Sequence, residues 1–176
     1  MPAPARKKTK SPRRSRGRID LIIEDPRWRK ETQALRLMRR ALRLVIEDVA
    51  AKAGARNIVV LLANDARLRS LNFDFRGKNT PTNVLSFPAE DSGSAHVGDI
   101  ALAFGVVKKE ARAQQKSFAA HAAHLAAHGG LHLLGYDHKK KSEAKEMESL
   151  EIRLLGRLGV ADPYAPRLYT RAGRPA

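Results

Sequence analysis

Five of the six histidines in this 176-residue chain fall between positions 121 and 138, and their spacing decides what they can do together. At about 100° per residue, His121, His124, His128 and His132 share one helical arc roughly 80° wide. His128 and His132 stand at i and i+4, one turn apart on one face, so both imidazoles can reach a single ion. Gly135 can take the left-handed conformation that stops a helix and turns the chain back, which would bring His138 to the same ion. The pattern His-x₃-His-x₂-Gly-x₂-His follows the helix, glycine and turn logic of zincin-like metal sites. Three neutral imidazoles suit Zn²⁺ in a tetrahedral set and leave a fourth position open to water, which marks a catalytic site rather than a structural one.

What the motif lacks narrows the chemistry. In zinc peptidases of the His-Glu-x-x-His type, the residue after the first histidine is the general base; here it is Gly129, so the peptidase reading loses its base. Zinc can lower the pKa of water to about 7 unaided, and a phosphodiester then needs a cation facing the charge that develops on phosphorus. Arg76 is the candidate, because its planar fork grips two phosphate oxygens, and Lys78 is a weaker phosphate contact. Phe73 and Phe75 beside them offer rings on which unpaired bases can stack. His121 and His124 lie N-terminal to the motif and read as packed imidazoles or as donors behind the ligands; Asp137 reads as a group that orients a ligand, and Asp99 has no assigned role.

These residues need elements to hold them. Ile19–Ile23 reads as a strand, and residues 31–53 place Leu35, Met38, Leu42, Val45, Ile46 and Val49 at helical spacing, ending near Gly54. Asn57–Leu62 reads as a buried strand, with Asn64 or Asp65 capping a short helix through Leu68 and Leu71. Arg76 to Pro81 reads as a polar turn, Val84–Phe87 as a strand stopped by Pro88, and Asp91–Ala95 as a loop. Asp99–Phe104 reads as a further strand. Helices are expected over Val106 to Ser117, Ala119 to Leu134, and Lys141 to Leu158, the last using Met147, Leu150, Leu154 and Leu158. Four short strands among helices imply one α+β (mixed α/β) domain over residues 19–164 with a small mixed sheet. Residues from Ala161 onward read as loosely attached, with a flexible tail over 165–176.

Charge points to the partner. The chain carries +16, with 34 Lys and Arg against 18 Asp and Glu, which favours a polyanion, most simply nucleic acid. Residues 1–18 hold eight basic residues and no acid and read as a disordered arm; the rest of the chain is still strongly basic. There is no cysteine, so disulfides and thiolate metal sites are excluded. No apolar run approaches the ~20 residues of a membrane span, and no secretory signal opens the chain, so a cytoplasmic protein is expected.

The sequence resembles the YbeY family of bacterial endoribonucleases. The likeness rests on His128-Gly-Gly-Leu-His132-Leu-Leu-Gly-Tyr-Asp-His138, on Leu71-Asn72 leading to Arg76-Gly77-Lys78, on Thr82-Asn83-Val84-Leu85-Ser86-Phe87-Pro88, on Gly98-Asp99-Ile100 and on Asp162-Pro163-Tyr164. It runs from about Ile19 to Tyr164, and the basic arm lies outside it. The resemblance implies one zinc ion held by His128, His132 and His138, a functional arginine at Arg76, and a small mixed sheet with the metal in a cleft. It also implies cleavage of single-stranded RNA, maturation of the 3′ end of small-subunit ribosomal RNA, and ribosome quality control, with the small subunit as partner and no small-molecule cofactor. Two other readings stay open: a ribosome-assembly factor whose zinc is mainly structural, and a zinc hydrolase of a small substrate.

Overall fold

The computed structural model describes residues 17–49, 56–90 and 95–165. The expected disordered segments therefore fall almost wholly outside the described residues, as do the helix end near Gly54 and most of the loop at 91–95. The elements run β1 (Ile19–Ile23), a five-residue 3-10 helix (Pro26–Lys30), α1 (Thr32–Val49), β2 (Asn57–Ala63), α2 (Asp65–Arg76), β3 (Val84–Pro88), β4 (His96–Ala103), α3 (Phe104–Ala113), α4 (Phe118–Leu133) and α5 (Lys141–Gly156). The strands form one mixed sheet in the order β1-β2-β4-β3. β1, β2 and β4 are parallel, with Ile19 beside Ile58 and Val60 beside Ile100; β3 is antiparallel to β4, with Leu85 beside Ala101. This is the single mixed α/β domain that the strand and helix pattern implies.

Alternation along the strands sorts side chains to two faces. Ile58, Val60 and Leu62 with Ile100 and Leu102 face the main core, where Met38, Leu42 and Ile46 of α1 meet Ala122, Leu125 and Ala126 of α4. Ala63, Ala101 and Ala103 face the other way, against Leu68 of α2. The wholly buried Trp28 plugs the end of the main core, its Nε1 donating to the Ala63 carbonyl at 3.1 Å and its ring edge-on to Phe104 at 5.3 Å. The helical turn that carries Trp28 has no apolar periodicity to announce it; Asp25 caps it and Pro26 opens it.

Several boundaries differ from the sequence reading: β4 starts at His96 rather than Asp99 and α3 stops at Ala113 rather than Ser117, and three further differences have identifiable reasons. Phe104 opens α3 rather than closing β4, because Asp65 Oδ1 accepts from the amides of Gly105 at 2.8 Å and Val106 at 3.1 Å and so caps α3 from a distant helix. Arg76 is the last residue of α2 rather than part of a turn, and Gly77 caps that helix in the left-handed region at φ 68°. Contacts to the sheet begin before β1: the Arg18 amide donates to Asn57 Oδ1 at 3.0 Å, and the Ile58 amide donates to the Arg18 carbonyl at 2.9 Å.

α4 lies between the sheet and α1, and the glycine pair between its two histidines makes this possible. A Cβ on Gly129 would sit 3.1 Å from both Ile100 Cγ2 and Ser86 Oγ, and one on Gly130 would sit 2.8 Å from Leu42 Cδ2. The residue that removes a peptidase base thus also lets the helix approach the sheet.

Candidate metal centre

Ser117 caps α4, its hydroxyl accepting from the Ala120 amide at 3.1 Å, and the helix stops at Leu133. Gly135 then adopts φ 91°, and the Tyr136 amide donates back to the Leu131 carbonyl at 3.1 Å. This reversal returns the chain along the helix end and brings His138 beside the other two rings. Ring centroids stand 4.6 Å apart for His128 and His132, 5.4 Å for His128 and His138, and 5.0 Å for His132 and His138. One donor nitrogen from each lies within 4.8 Å of the others, so the three could hold a metal ion.

The hydrogen bonds fix which nitrogens are available. Nδ1 of His132 donates to the Tyr136 carbonyl at 2.8 Å, because a carbonyl can only accept. Nδ1 of His128 donates to Glu151 Oε1 at 2.8 Å. Both rings therefore turn a bare Nε2 lone pair toward the same point, and these atoms are only 3.1 Å apart. Two acceptors cannot satisfy each other. Two nitrogens on one tetrahedral zinc stand about 3.3 Å apart, so a cation between them resolves the contact and fits the donor set. Burial, followed by the neighbouring His128, lowers the His132 pKa and favours the neutral ring that a ligand must be.

The group behind the ligands is Glu151, which the sequence reading did not single out. It lies wholly buried on α5, with Oε2 accepting from His124 Nε2 at 2.7 Å and from the Tyr164 hydroxyl. Burial alone would raise its pKa, but the bonds from His124, His128 and Tyr164 prevail and hold it at about 2. Tyr164 is pushed up by burial and by that carboxylate, so its hydroxyl stays a donor. This bond also ties residue 164 to the domain, against the expectation of a loose chain from Ala161. A signal for Glu151 existed: an acid four residues after Met147 and three before Leu154 sits on the apolar stripe of α5, where an unpaired carboxylate is costly.

The remaining candidates separate. His124 stands behind the ligands through Glu151. His121 is a packed imidazole, bonded to Glu110 Oε2 at 2.8 Å, and Glu110 also accepts from Asn83 at 3.0 Å. Asp137 does not orient a ring: its carboxylate meets Lys139 Nζ at 2.9 Å and the His138 amide at 2.8 Å. Asp99 faces His96 at 3.2 Å on β4.

The cluster opens into a cleft of about 700 Å³ that Arg76 also lines, with Thr82, Asn83, Ser86 and Lys139. Arg76 makes no ion pair or hydrogen bond with another described residue, so its guanidinium is free for a ligand. Asn72, nearly buried, steadies the turn after it by donating to the Thr80 carbonyl at 2.8 Å. Lys78 does not line the cleft. Phe73 and Phe75 are exposed at 55% and 67%, and the Phe75 ring rests 4.7 Å from Phe87.

A family model described as Endoribonuclease YbeY matches residues 22–159. A protein named Endoribonuclease YbeY from Bradyrhizobium sp. (strain BTAi1) is 44% identical over 156 residues, covering 84% of this chain and 92% of its own. A protein of the same name from Maricaulis maris is 44% identical over 146 residues, covering 83% and 91%. A Thermotoga maritima protein solved in solution shares the fold with a TM-score of 0.55 at 24% identity, over 84% of this chain and 99% of its own.

Proposed function

Because the chain belongs to the YbeY endoribonuclease family, we propose that it is a zinc-dependent endoribonuclease that cuts single-stranded RNA in the maturation of small-subunit ribosomal RNA and in ribosome quality control. The observation that carries this reading is the convergence of histidine nitrogens in a cleft that also holds Arg76, which pairs with no other described residue. One zinc ion per chain, held by His128, His132 and His138, would supply Lewis-acid activation of water at neutral pH. Arg76 would grip the phosphate being cut and face its developing charge. Glu151 and the Tyr136 carbonyl would keep the His128 and His132 rings in the ligating tautomer. Phe73 and Phe75, exposed at the end of α2, would stack unpaired bases, which favours single strands. Small-subunit ribosomal RNA and the cytoplasm follow from the family reading; no described helix is long and apolar enough to cross a membrane.

The assembly-factor reading needs zinc to hold the fold. Against it stands the donor set itself, since three imidazoles would leave a fourth position on zinc open to water. The test is cleavage of a single-stranded RNA by metal-loaded wild type, by chelated protein and by His132→Ala, with circular dichroism on each. Activity lost with the metal while the fold persists is the expected result. No cleavage by folded, zinc-loaded wild type would overturn the nuclease reading, and unfolding on chelation would make the metal structural.

A further inference from the structure

Arg36 and Arg40 stand at i and i+4 on the outer face of α1, and both line a cavity of about 600 Å³ distinct from the metal cleft. Lys116, Ser117 and His124 line it too. Among the described residues that line it Asp162 is the one acid, and its Oδ1 accepts from the Tyr164 amide at 2.8 Å. Elsewhere on the molecule Arg18, Arg27, Arg67, Lys139, Lys140 and Arg157 each face a carboxylate. Arg36 and Arg40 form no ion pair or hydrogen bond with another described residue.

Positive side chains gathered in a concavity focus potential and draw in anions, and the first turn of α4 at its edge adds the positive end of a helix dipole. The position is informative as well. His124 and His128 share Glu151 and lie one turn, about 6 Å, apart along α4, so the cavity and the metal cleft abut across one carboxylate.

We propose that this cavity is a second phosphate site, which holds the backbone of an RNA strand beyond the bond being cut. The inference rests on the endoribonuclease reading and deepens it: affinity would depend on strand length, and the outlying phosphates would be held by Arg36 and Arg40 rather than by the metal cleft. Guanidinium pairs suit phosphate oxygens, and a site of this kind reads backbone without reading sequence.

The test compares full-length, metal-loaded wild type with an Arg36→Gln, Arg40→Gln double variant and with an equally neutralised control away from that face, Arg29→Gln, Arg153→Gln. Fluorescence anisotropy follows binding of labelled 2′-O-methyl RNA of about 4 and about 20 nucleotides, below and above a typical single-strand site. The expected result is a loss of about tenfold or more on the long strand for the Arg36, Arg40 variant, with its salt slope shallower by about 1.4, the value for two single-strand phosphate contacts. The short strand should bind all three proteins alike. Equal weakening by the control pair would assign the effect to overall charge and overturn the site. Undiminished long-strand binding by the variant would overturn it too, and would leave an acidic protein segment as the occupant. Failure of wild type to bind either strand would instead sink the endoribonuclease reading on which the proposal stands.

Discussion

Nδ1 of His128 donates to Oε1 of Glu151 at 2.8 Å, so a ring of the histidine cluster on α4 is set by a wholly buried carboxylate on α5, 23 residues along the chain. The same carboxylate takes His124 and Tyr164 on its other oxygen. A buried carboxylate is tolerable only when its lone pairs are occupied, and three donors occupy them here. The bond has a chemical consequence: while Nδ1 carries the proton, Nε2 stays bare.

Glu151→Gln tests that consequence. An amide keeps the volume but replaces one acceptor oxygen by a donor, so His128 or His124 must lose its bond or change tautomer. Metal affinity should fall about 10- to 100-fold, as for other groups that orient a ligating histidine. Competition against a fluorescent chelator reads this directly. If affinity matches wild type while circular dichroism is unchanged, the carboxylate does not orient His128.

Arg76→Ala should leave the fold and the metal content intact, since Arg76 is exposed at a helix end and bonds no described residue. Cleavage of single-stranded RNA should fall about 10²- to 10³-fold, the usual scale for removing one group that faces a developing oxyanion. The loss should appear in kcat as well as in kcat/KM, because the contact strengthens in the transition state. Wild-type turnover would remove Arg76 from the mechanism.

What was legible in the sequence was local. His128, His132, Gly135 and His138 span eleven residues, and helical periodicity with one positive-φ glycine suffices to converge them. Arg76 lines the cleft from the end of α2 rather than from a turn, because the cap at Gly77 extends that helix to the arginine itself. Glu151 stayed hidden because its partners lie on another helix, and a stripe of Met147, Leu150, Leu154 and Leu158 reads as core without it. Asp137 misled for the opposite reason: nearness in sequence suggested a role that the Lys139 contact takes away. The strand order β1-β2-β4-β3 follows from packing between distant segments, which no local pattern encodes.

Acid should unfold the metal-free protein over a range that Glu151 helps define. The hydrogen bonds it accepts hold its pKa at about 2 in the folded protein, against an ordinary value of 4.5. A carboxyl depressed by folding stabilises the fold fully above its unfolded value, and that contribution is lost as pH falls through the folded value. Stability should therefore decline between about pH 4.5 and pH 2, by on the order of 3 kcal/mol from this group. Urea titrations across that range should show a weaker pH dependence for Glu151→Gln. An identical slope in the two proteins would mean that the carboxyl is not depressed by the fold.

The basic arm can be tested at a boundary that the fold itself sets. Gly17 packs against the Arg56 backbone, and Arg18 is bonded to Asn57 and Ile58, so a cut after Arg18 would damage the sheet edge. Deleting residues 1–16 removes Arg6, Lys7, Lys8, Lys10, Arg13, Arg14 and Arg16 and leaves those contacts in place. If the arm contacts RNA, each phosphate it neutralises contributes about 0.7 to the slope of log affinity against log salt on a single strand. The truncated protein should show a shallower slope and weaker binding at low salt, with the same thermal midpoint as the full chain. Cleavage of a strand too short to reach beyond the cleft should be unaffected, because Arg76 and the three histidines are untouched. A slope equal to that of the full chain would show that the arm makes no phosphate contact and that the basic body alone accounts for RNA affinity.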